Sequence, residues 1–309
     1  MLTRRTAVSL LAAGLSLAVL SLPAAAQGAD RLKVVATFSI LGDMVRHVGG
    51  ERVEVATLVG PNGDAHVYSP SPADGRRLTE AKIVFTNGLK FEGWIDRLVK
   101  SSGTKAVKVE AAGGITPLKG EDNDHGPGHG HDHGGPDPHA WQSIGNAKIY
   151  VANIRDALIA ADPAGKGAYE ANAAAYLAQL DALEAEIRSL VAGIPAERRR
   201  IITSHDAFRY FEHAYGIDFV SPQGVSTESE ASARDVAKII QQIKREKIGA
   251  VFVENVSDAR LMERIAKETG AKIGSQVYSD ALSAPDGPAG TYIDMMRHNI
   301  RAFSAALSS

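Results

Sequence analysis

The sequence predicts an α/β protein with two lobes, each built on a parallel sheet. Short β-rich apolar runs alternate with helical patterns along the chain, an order typical of parallel sheets. Four runs precede a long central helical segment and four follow it, which favours two lobes over one continuous sheet. Because the 309 residues include no cysteine, burial of an apolar core must stabilise both lobes.

The predicted strands are four to six residues long and rich in Val, Ile and other apolar residues. They cover residues 32–37, 53–58, 82–86 and 106–109 before the central segment, and 200–203, 217–220, 249–254 and 272–277 after it. Amphipathic stretches at 232–247 and 258–269 predict helices between the later strands.

The first 26 residues have the pattern of a cleaved secretory signal. Arg4 and Arg5 precede an apolar run from residue 7 to residue 22, and three alanines at 24–26 offer a cleavage site. We therefore expect an exported, soluble mature chain that begins near Gln27. The general secretory route and the twin-arginine route both stay open. The predicted lobes are 27–161 and 194–309, with the linking helix at 162–193.

The linking helix has a start and a stop signal. Asp162 is a candidate N-cap followed by Pro163, and Gly193 with Pro195 marks the end. An apolar seam with spacings of four and three runs along it, formed by Tyr169, Ala173, Tyr176, Leu180, Leu183, Ile187 and Leu190. We expect the lobes of a monomer to cover this seam, although a dimeric coiled coil would also explain it.

Residues 121–138 read EDNDHGPGHGHDHGGPDP and contain no apolar side chain that could anchor them. We expect a mobile loop, because Gly, Pro and charged residues dominate. Its four histidines, His125, His129, His131 and His133, suit transient capture of additional, weakly held zinc. The alternative is a solvated insert without a selected role.

Four potential metal ligands each follow a predicted strand: His66, His139, His205 and Asp280. Ligands bind beyond the carboxyl ends of strands in open α/β sheets, so these side chains are expected to meet in the cleft between the lobes. Each has an ordinary alternative, as a turn, loop or helix-cap residue. Their shared placement favours one site of three imidazoles and one carboxylate.

Three nitrogen ligands and one oxygen ligand favour Zn²⁺, which binds such sets tetrahedrally. Manganese prefers more oxygen, while Cu²⁺ would bind more tightly if the geometry allowed it. Asp206 and Glu230 are candidates for orienting the imidazoles from outside the ligand set. The near-neutral formal charge of −2 has no basic stripe, so nucleic acid is an unexpected partner.

Several motifs together resemble the metal-binding proteins of zinc and manganese ABC importers, the cluster A-I solute-binding family. They are GDAHVYSP, NGLKFEGW, DPHAW, TSHDAFRYF, STESEASARD and YSDALSAPDGPAGTYIDMMRHN, and the similarity runs from Leu32 to the C-terminus. The resemblance implies two (β/α)4 lobes joined by a rigid helix. It also implies that the four family ligand positions fall on His66, His139, His205 and Asp280.

The resemblance carries further expectations about the metal and the cellular location. Manganese-type members tend to have Glu at the third ligand position, whereas this chain has His205, which points to zinc. The His-rich loop is similar to those of zinc carriers in Gram-negative periplasm. A lipid anchor of the Gram-positive type needs a cysteine, and the sequence has none.

The leading hypothesis is capture of one Zn²⁺ between the lobes and its delivery to an ABC permease, without catalysis. A periplasmic metallochaperone is a candidate second partner. The alternatives are a manganese carrier of the same family, a zinc buffer or chaperone without a permease, and a zinc hydrolase. Asp280 argues against the hydrolase because it fills the position that a reactive water would need.

Overall fold

The computed structural model describes residues 31–119 and 135–308. Two four-stranded parallel sheets are present in this part of the chain, with strand orders β2-β1-β3-β4 and β6-β5-β7-β8. Both sheets belong to one compact unit that starts at residue 31. The predicted fold class, two parallel α/β lobes with a long connecting helix, is confirmed.

The first lobe alternates strands and helices in the predicted order. Its elements are β1 Leu32–Phe38, α1 Ser39–Gly49, β2 Val53–Val59, α2 Pro72–Glu80, β3 Ile83–Thr86, α3 Ile95–Ser102 and β4 Val107–Glu110. The central strands β1 and β3 are almost fully buried, as the apolar sequence of a parallel sheet requires. Helix α2 begins with a capping box in which the Asp74 carboxylate accepts the backbone N–H of Ser71.

The second lobe has shorter strands and the same alternation. Its elements are β5 Arg200–Ile202, α6 Arg209–Tyr215, β6 Asp218–Val220, α7 Ala233–Glu246, β7 Ala250–Val251, α8 Ala259–Thr269, β8 Lys272–Ile273 and α9 Tyr292–Leu307. Side chains of Ser232, Asp258 and Thr291 cap α7, α8 and α9. Helix α8 ends at Gly270, whose positive φ of 78° suits a residue without a side chain.

Two long helices join the lobes, α4 Ile144–Ala161 and α5 Lys166–Ala192. The seam of α5 is buried from Tyr169 to Ile187, and Val191 rather than Leu190 completes it. Helices α1, α4 and α9 of the same chain pack against α5. The seam is therefore covered within one molecule, so a coiled-coil partner is not needed to bury it.

The start of α5 differs from the prediction. A 3₁₀ turn at Pro163–Gly165 separates Asp162 from the helix. The Asp162 carboxylate does not cap α5, because it accepts hydrogen bonds from the Arg52 guanidinium at 2.8 Å and from the Tyr169 hydroxyl at 2.8 Å. No described helix is long and apolar enough to cross a membrane. The proposed signal at 1–26 and the segment 120–134 lie outside the described residues.

Candidate metal centre

The four predicted ligands meet at the carboxyl ends of the two sheets. His66 lies in the loop after β2 and His139 in the segment between β4 and α4, while His205 follows β5 and Asp280 follows β8. One ligand atom from each lies within 4.8 Å of the others. All four residues are buried, and His66, at 6%, is the most exposed. The structure therefore holds a metal-binding arrangement of three His and one Asp, contributed equally by the two lobes.

The distances between the ligand atoms match those around a small tetrahedral ion. Asp280 Oδ2 lies 3.3 Å from His66 Nε2 and 3.2 Å from His205 Nε2, and Asp280 Oδ1 lies 3.5 Å from His139 Nε2. The Nε2 atoms of His66 and His139 are 3.3 Å apart. Ligands at about 2.1 Å from a tetrahedral ion would be separated by about 3.4 Å. The group is therefore already arranged to surround one ion.

Asp137 fixes the orientation of His139. Its Oδ1 accepts a hydrogen bond from His139 Nδ1 at 2.8 Å and another from the His139 backbone N–H at 2.9 Å. Donation from Nδ1 leaves the lone pair on Nε2, which faces the other ligands. Both residues are fully buried. The carboxylate thus sets both the tautomer and the direction of this imidazole.

Glu254 has the corresponding position beside His205. Its Oε2 lies 2.6 Å from His205 Nδ1, and its Oε1 accepts the backbone N–H groups of Ser204 at 2.7 Å and His205 at 2.9 Å. Glu254 is itself fully buried. One carboxylate therefore holds both the ring and the backbone of this ligand.

His66 is held mainly through its backbone and by apolar contact. Asp64 Oδ1 accepts the His66 backbone N–H at 2.9 Å, and Trp94 Nε1 donates to the Ala65 carbonyl at 2.8 Å. The edge of the imidazole packs against Phe91, with ring centroids 4.7 Å apart. Among the described residues, Asp280 is the single carboxylate within ion-pair distance of this ring. His66 therefore lacks the buried partner that His139 and His205 have.

The Asp280 segment is tied directly to the His139 segment. The Ser279 carbonyl accepts hydrogen bonds from Trp141 Nε1 and Gln142 Nε2, each at 2.9 Å. Both Asp280 oxygens are buried and form no hydrogen bond within the described part of the chain. A buried carboxylate without donors is costly unless a cation compensates it. The arrangement is consistent with a site built to receive a positive ion.

Charges in the site shift the pKa values strongly. Burial lowers the pKa of His139, but the facing Asp280 and Asp137 carboxylates outweigh it and raise that pKa to about 9. Burial opposes the same effect at His205, where Glu254 and Asp280 raise the pKa well above its usual value. Burial would raise the pKa of Asp280, yet His205 and His139 hold it well below its usual range. In the absence of metal, protons therefore occupy the imidazoles that a metal ion would use.

The carboxylates beside the imidazoles are not the two that the sequence suggested, Asp206 and Glu230. Within the described chain, the carboxylates beside the Nδ1 atoms of the ligand imidazoles belong to Asp137 and Glu254, and no hydrogen bond or ion pair joins Asp206 or Glu230 to a ligand. Burial together with the charge of Asp137 raises the pKa of Asp206 to about 6, against the opposing charges of Arg209, His139 and His205. Glu230 is exposed in a surface cleft that Asp258 and Arg260 also line.

Sequence signals for the actual partners were present but not decisive. Asp137 stands two residues before His139 in DPHAW, and Glu254 ends the apolar run VFVE. The histidines His125, His129, His131 and His133 lie outside the described residues. The ends of their segment are described: Lys119 and Pro136 form an antiparallel bridge, and the Asp137 N–H donates to the Leu118 carbonyl at 2.8 Å.

Comparison with known proteins adds a family to this geometry. Residues 34–306 match the family described as zinc-uptake complex component A, periplasmic. The chain belongs to this family. It is thus a metal-binding, substrate-binding component of an ABC importer, which works with a permease and an ATPase, and it is not an enzyme.

Similar members of the zinc-uptake component A family are named for different metals. The manganese-binding lipoprotein MntA of Halalkalibacterium halodurans is 37% identical over 279 residues, covering 90% of this chain and 89% of that protein. The iron ABC transporter lipoprotein MtsA of Streptococcus pyogenes serotype M1 is 33% identical over 285 residues, covering 90% of each. The periplasmic zinc-binding protein TroA of Treponema pallidum is 29% identical, with a TM-score of 0.82, over 90% of this chain and all of that one. These comparisons establish the family and the fold of this chain. The names of the relatives do not agree on one metal.

Proposed function

We propose that this chain captures one Zn²⁺ between its lobes with His66, His139, His205 and Asp280, and delivers it to the permease of an ABC importer. The observation that carries the proposal is the ligand set itself: four buried ligand atoms lie within 4.8 Å of one another, and Asp280 Oδ2 is 3.2–3.3 Å from the Nε2 atoms of His66 and His205. The metal is the cargo of the protein. Its capture needs no chemical step.

The chemistry of the ligands supports zinc over manganese. Three neutral imidazoles and one carboxylate are a common zinc set, whereas Mn²⁺ selects more oxygen ligands. The orienting carboxylates Asp137 and Glu254 also raise the basicity of the coordinating nitrogens, which strengthens bonds to a nitrogen-preferring ion. Zinc binding would replace the protons on His139 and His205 with a doubly charged cation.

Manganese is the second candidate, and two observations favour it. The relative that is 37% identical is named a manganese-binding lipoprotein. In addition, both Asp280 oxygens face imidazoles, so this carboxylate could bind with two oxygens and raise the coordination number above four. The experiment below therefore measures both metals on the same protein.

We further propose that the protein works free in the periplasm after cleavage near residue 26. Several relatives are named lipoproteins, but the 309 residues of this chain contain no cysteine that could carry a lipid.

The histidines at 125, 129, 131 and 133 are proposed to capture zinc transiently, which would raise the zinc concentration near the cleft. A metallochaperone could load the protein, and a monomer is sufficient for the mechanism.

The first experiment is competition binding of zinc and manganese to a chain that lacks residues 121–134. This deletion joins Gly120 to Gly135, and Lys119 and Pro136 on either side already form an antiparallel bridge. A two-residue Gly-Gly connection is one of the favoured hairpin loops, so the deletion suits the surrounding backbone. It also removes the loop imidazoles, which would otherwise bind metal and obscure the stoichiometry.

We expect one tight zinc site that excess manganese does not displace. The matched control replaces His205 with Asn in the same shortened chain and should lose tight binding. If manganese displaces zinc, the manganese alternative holds. If the shortened chain binds neither metal tightly while the full chain does, the four-residue site is not the principal one, and the proposal fails.

A further inference from the structure

The metal site is connected to a tyrosine that contacts no ligand. Asp137, which orients His139, lies at the point where the described chain resumes after residue 134. Its backbone pairs with the preceding described segment, because the Asp137 N–H donates to the Leu118 carbonyl at 2.8 Å. A short antiparallel backbone pairing next to the site is therefore formed by residues 118–119 and 136–137. The position of the Asp137 carboxylate depends on where this pairing lies.

Tyr210 of α6 forms hydrogen bonds to both strands of this antiparallel pairing. Its hydroxyl accepts the Leu118 backbone N–H at 3.0 Å and donates to the Asp137 carbonyl at 2.9 Å. The side chain is 4% exposed, so water does not easily replace these bonds. Burial also raises the pKa of Tyr210 to about 12. Beside it, the Arg209 guanidinium donates to the Lys119 carbonyl.

These contacts cross from one lobe to the other. Tyr210 belongs to the second lobe and stands five residues after the ligand His205, whereas Asp137 and His139 belong to the first. The same stretch of chain therefore carries one ligand and holds the backbone that places another. This link is made by hydrogen bonds and does not need the ion.

We propose that Tyr210 is a positioning residue for metal binding, acting through Asp137 on His139. The inference rests on the proposed function, since it assumes that His139 is a ligand. It predicts that removal of the Tyr210 hydroxyl weakens metal binding, although this hydroxyl contacts none of the four ligands. The effect must pass through the Asp137 carboxylate and must disappear when that carboxylate no longer orients the ring.

The same helix offers a matched control. The Tyr215 hydroxyl accepts the Ile144 backbone N–H at 3.2 Å and donates to Glu184 Oε2 at 2.8 Å. Like Tyr210, it accepts one backbone N–H and donates one hydrogen bond, here to a carboxylate, and it also joins α6 to other elements. Neither of its partners contacts a ligand. Tyr215→Phe removes a comparable hydroxyl without touching the route to His139.

The experiment is a double-mutant cycle on the full chain, with zinc affinity measured by competition with a chelator that outcompetes isolated imidazoles. Tyr210→Phe should weaken zinc binding about tenfold, as the loss of groups that orient a ligand typically does. Tyr215→Phe should stay within twofold of wild type. In an Asp137→Ala background, which removes the acceptor for the ring, Tyr210→Phe should have no further effect beyond twofold.

A purely structural role would give a different pattern. If Tyr210→Phe weakens zinc binding by the same factor with and without Asp137→Ala, or by no more than Tyr215→Phe does, the inference is overturned. If the wild-type protein still binds zinc tightly, either of these results contradicts only the role of Tyr210 and not the proposed function. If the wild type binds no zinc or manganese tightly, the proposed function and this inference fall together.

Discussion

Asp137 accepts two hydrogen bonds on one carboxylate oxygen from a single residue, His139, through the backbone N–H at 2.9 Å and ring Nδ1 at 2.8 Å. The ring is thereby fixed relative to its own backbone before any ion binds. Glu254 Oε1 accepts the His205 backbone N–H at 2.9 Å, and Glu254 Oε2 lies 2.6 Å from His205 Nδ1. Two of the three imidazoles are thus oriented in advance, and this leads to tests in which the ligands themselves are unchanged.

Asp137→Asn should weaken zinc binding by between tenfold and a hundredfold, because partners that orient metal-bound imidazoles contribute about that much. Chelator competition on the shortened chain measures it. The control is Asp206→Asn. Asp206 is partly buried and follows the ligand His205 in sequence, but it forms no hydrogen bond or ion pair with an imidazole. Equal losses in the two variants would contradict the role given to Asp137.

Glu254→Gln should lower both metal affinity and the stability of the metal-free protein. The buried carboxylate accepts two backbone N–H groups and lies beside His205, whose pKa it raises. Losing the charge next to a buried imidazolium should cost roughly 2–4 kcal/mol of unfolding free energy. Chemical denaturation with a chelator present measures this cost. Glu230→Gln, at an exposed position, should change neither quantity, and a stable Glu254→Gln protein would count against the assignment.

Zinc affinity should keep rising with pH well above 6.5, the ordinary pKa of a histidine side chain. The pKa of His139 is raised to about 9 and that of His205 is also raised, so metal must displace protons even at neutral pH. Between pH 7 and pH 6 the apparent affinity should fall tenfold to about a hundredfold. Calorimetry of the shortened chain in two buffers counts the protons released. Affinity that is constant above pH 7 would refute this.

The metal-free protein should lose stability as the pH rises. A histidine whose pKa is higher in the folded state stabilises it fully below the unfolded value, about 6.5, and this contribution disappears as pH passes the folded value, about 9 for His139. The contribution is at most roughly 3 kcal/mol. Thermal unfolding with a chelator at pH 7 and pH 10 tests the sign. His139→Asn should flatten the profile, and a profile equally steep in both proteins would argue against it.

The sequence predicts all eight strands and the residues that carry the four candidate ligands, because each depends on a local signal. Apolar runs mark the strands, and the carboxyl ends of parallel strands gather His66, His205 and Asp280 whatever the details of packing. The strand predicted at 249–254 is only Ala250–Val251, since pairing beyond it is reduced to a single bridge at Glu254. Local pattern does not determine where a ladder stops.

The orienting carboxylates depend on tertiary structure and were missed for that reason. Asp206 and Glu230 are as plausible by sequence distance as Asp137 and Glu254. Which carboxylate faces an imidazole depends on how loops from separate strands approach each other, and neighbouring residues in a loop point in different directions. Burial separates the cases: Asp137 and Glu254 are fully buried, whereas Glu230 is exposed.

The two hydrogen bonds from Trp141 and Gln142 to the Ser279 carbonyl join the chain segment of His139 to that of Asp280. The four candidate ligands are therefore not held equally firmly. His139 and Asp280 form a fixed pair, since separating them requires breaking both bonds at about 1 kcal/mol each in addition to the bonds to the ion. His66, without a buried carboxylate on its ring, is the ligand with the fewest bonds to break. If these four residues bind the ion as proposed, we expect His66 to be the first ligand that a departing ion releases.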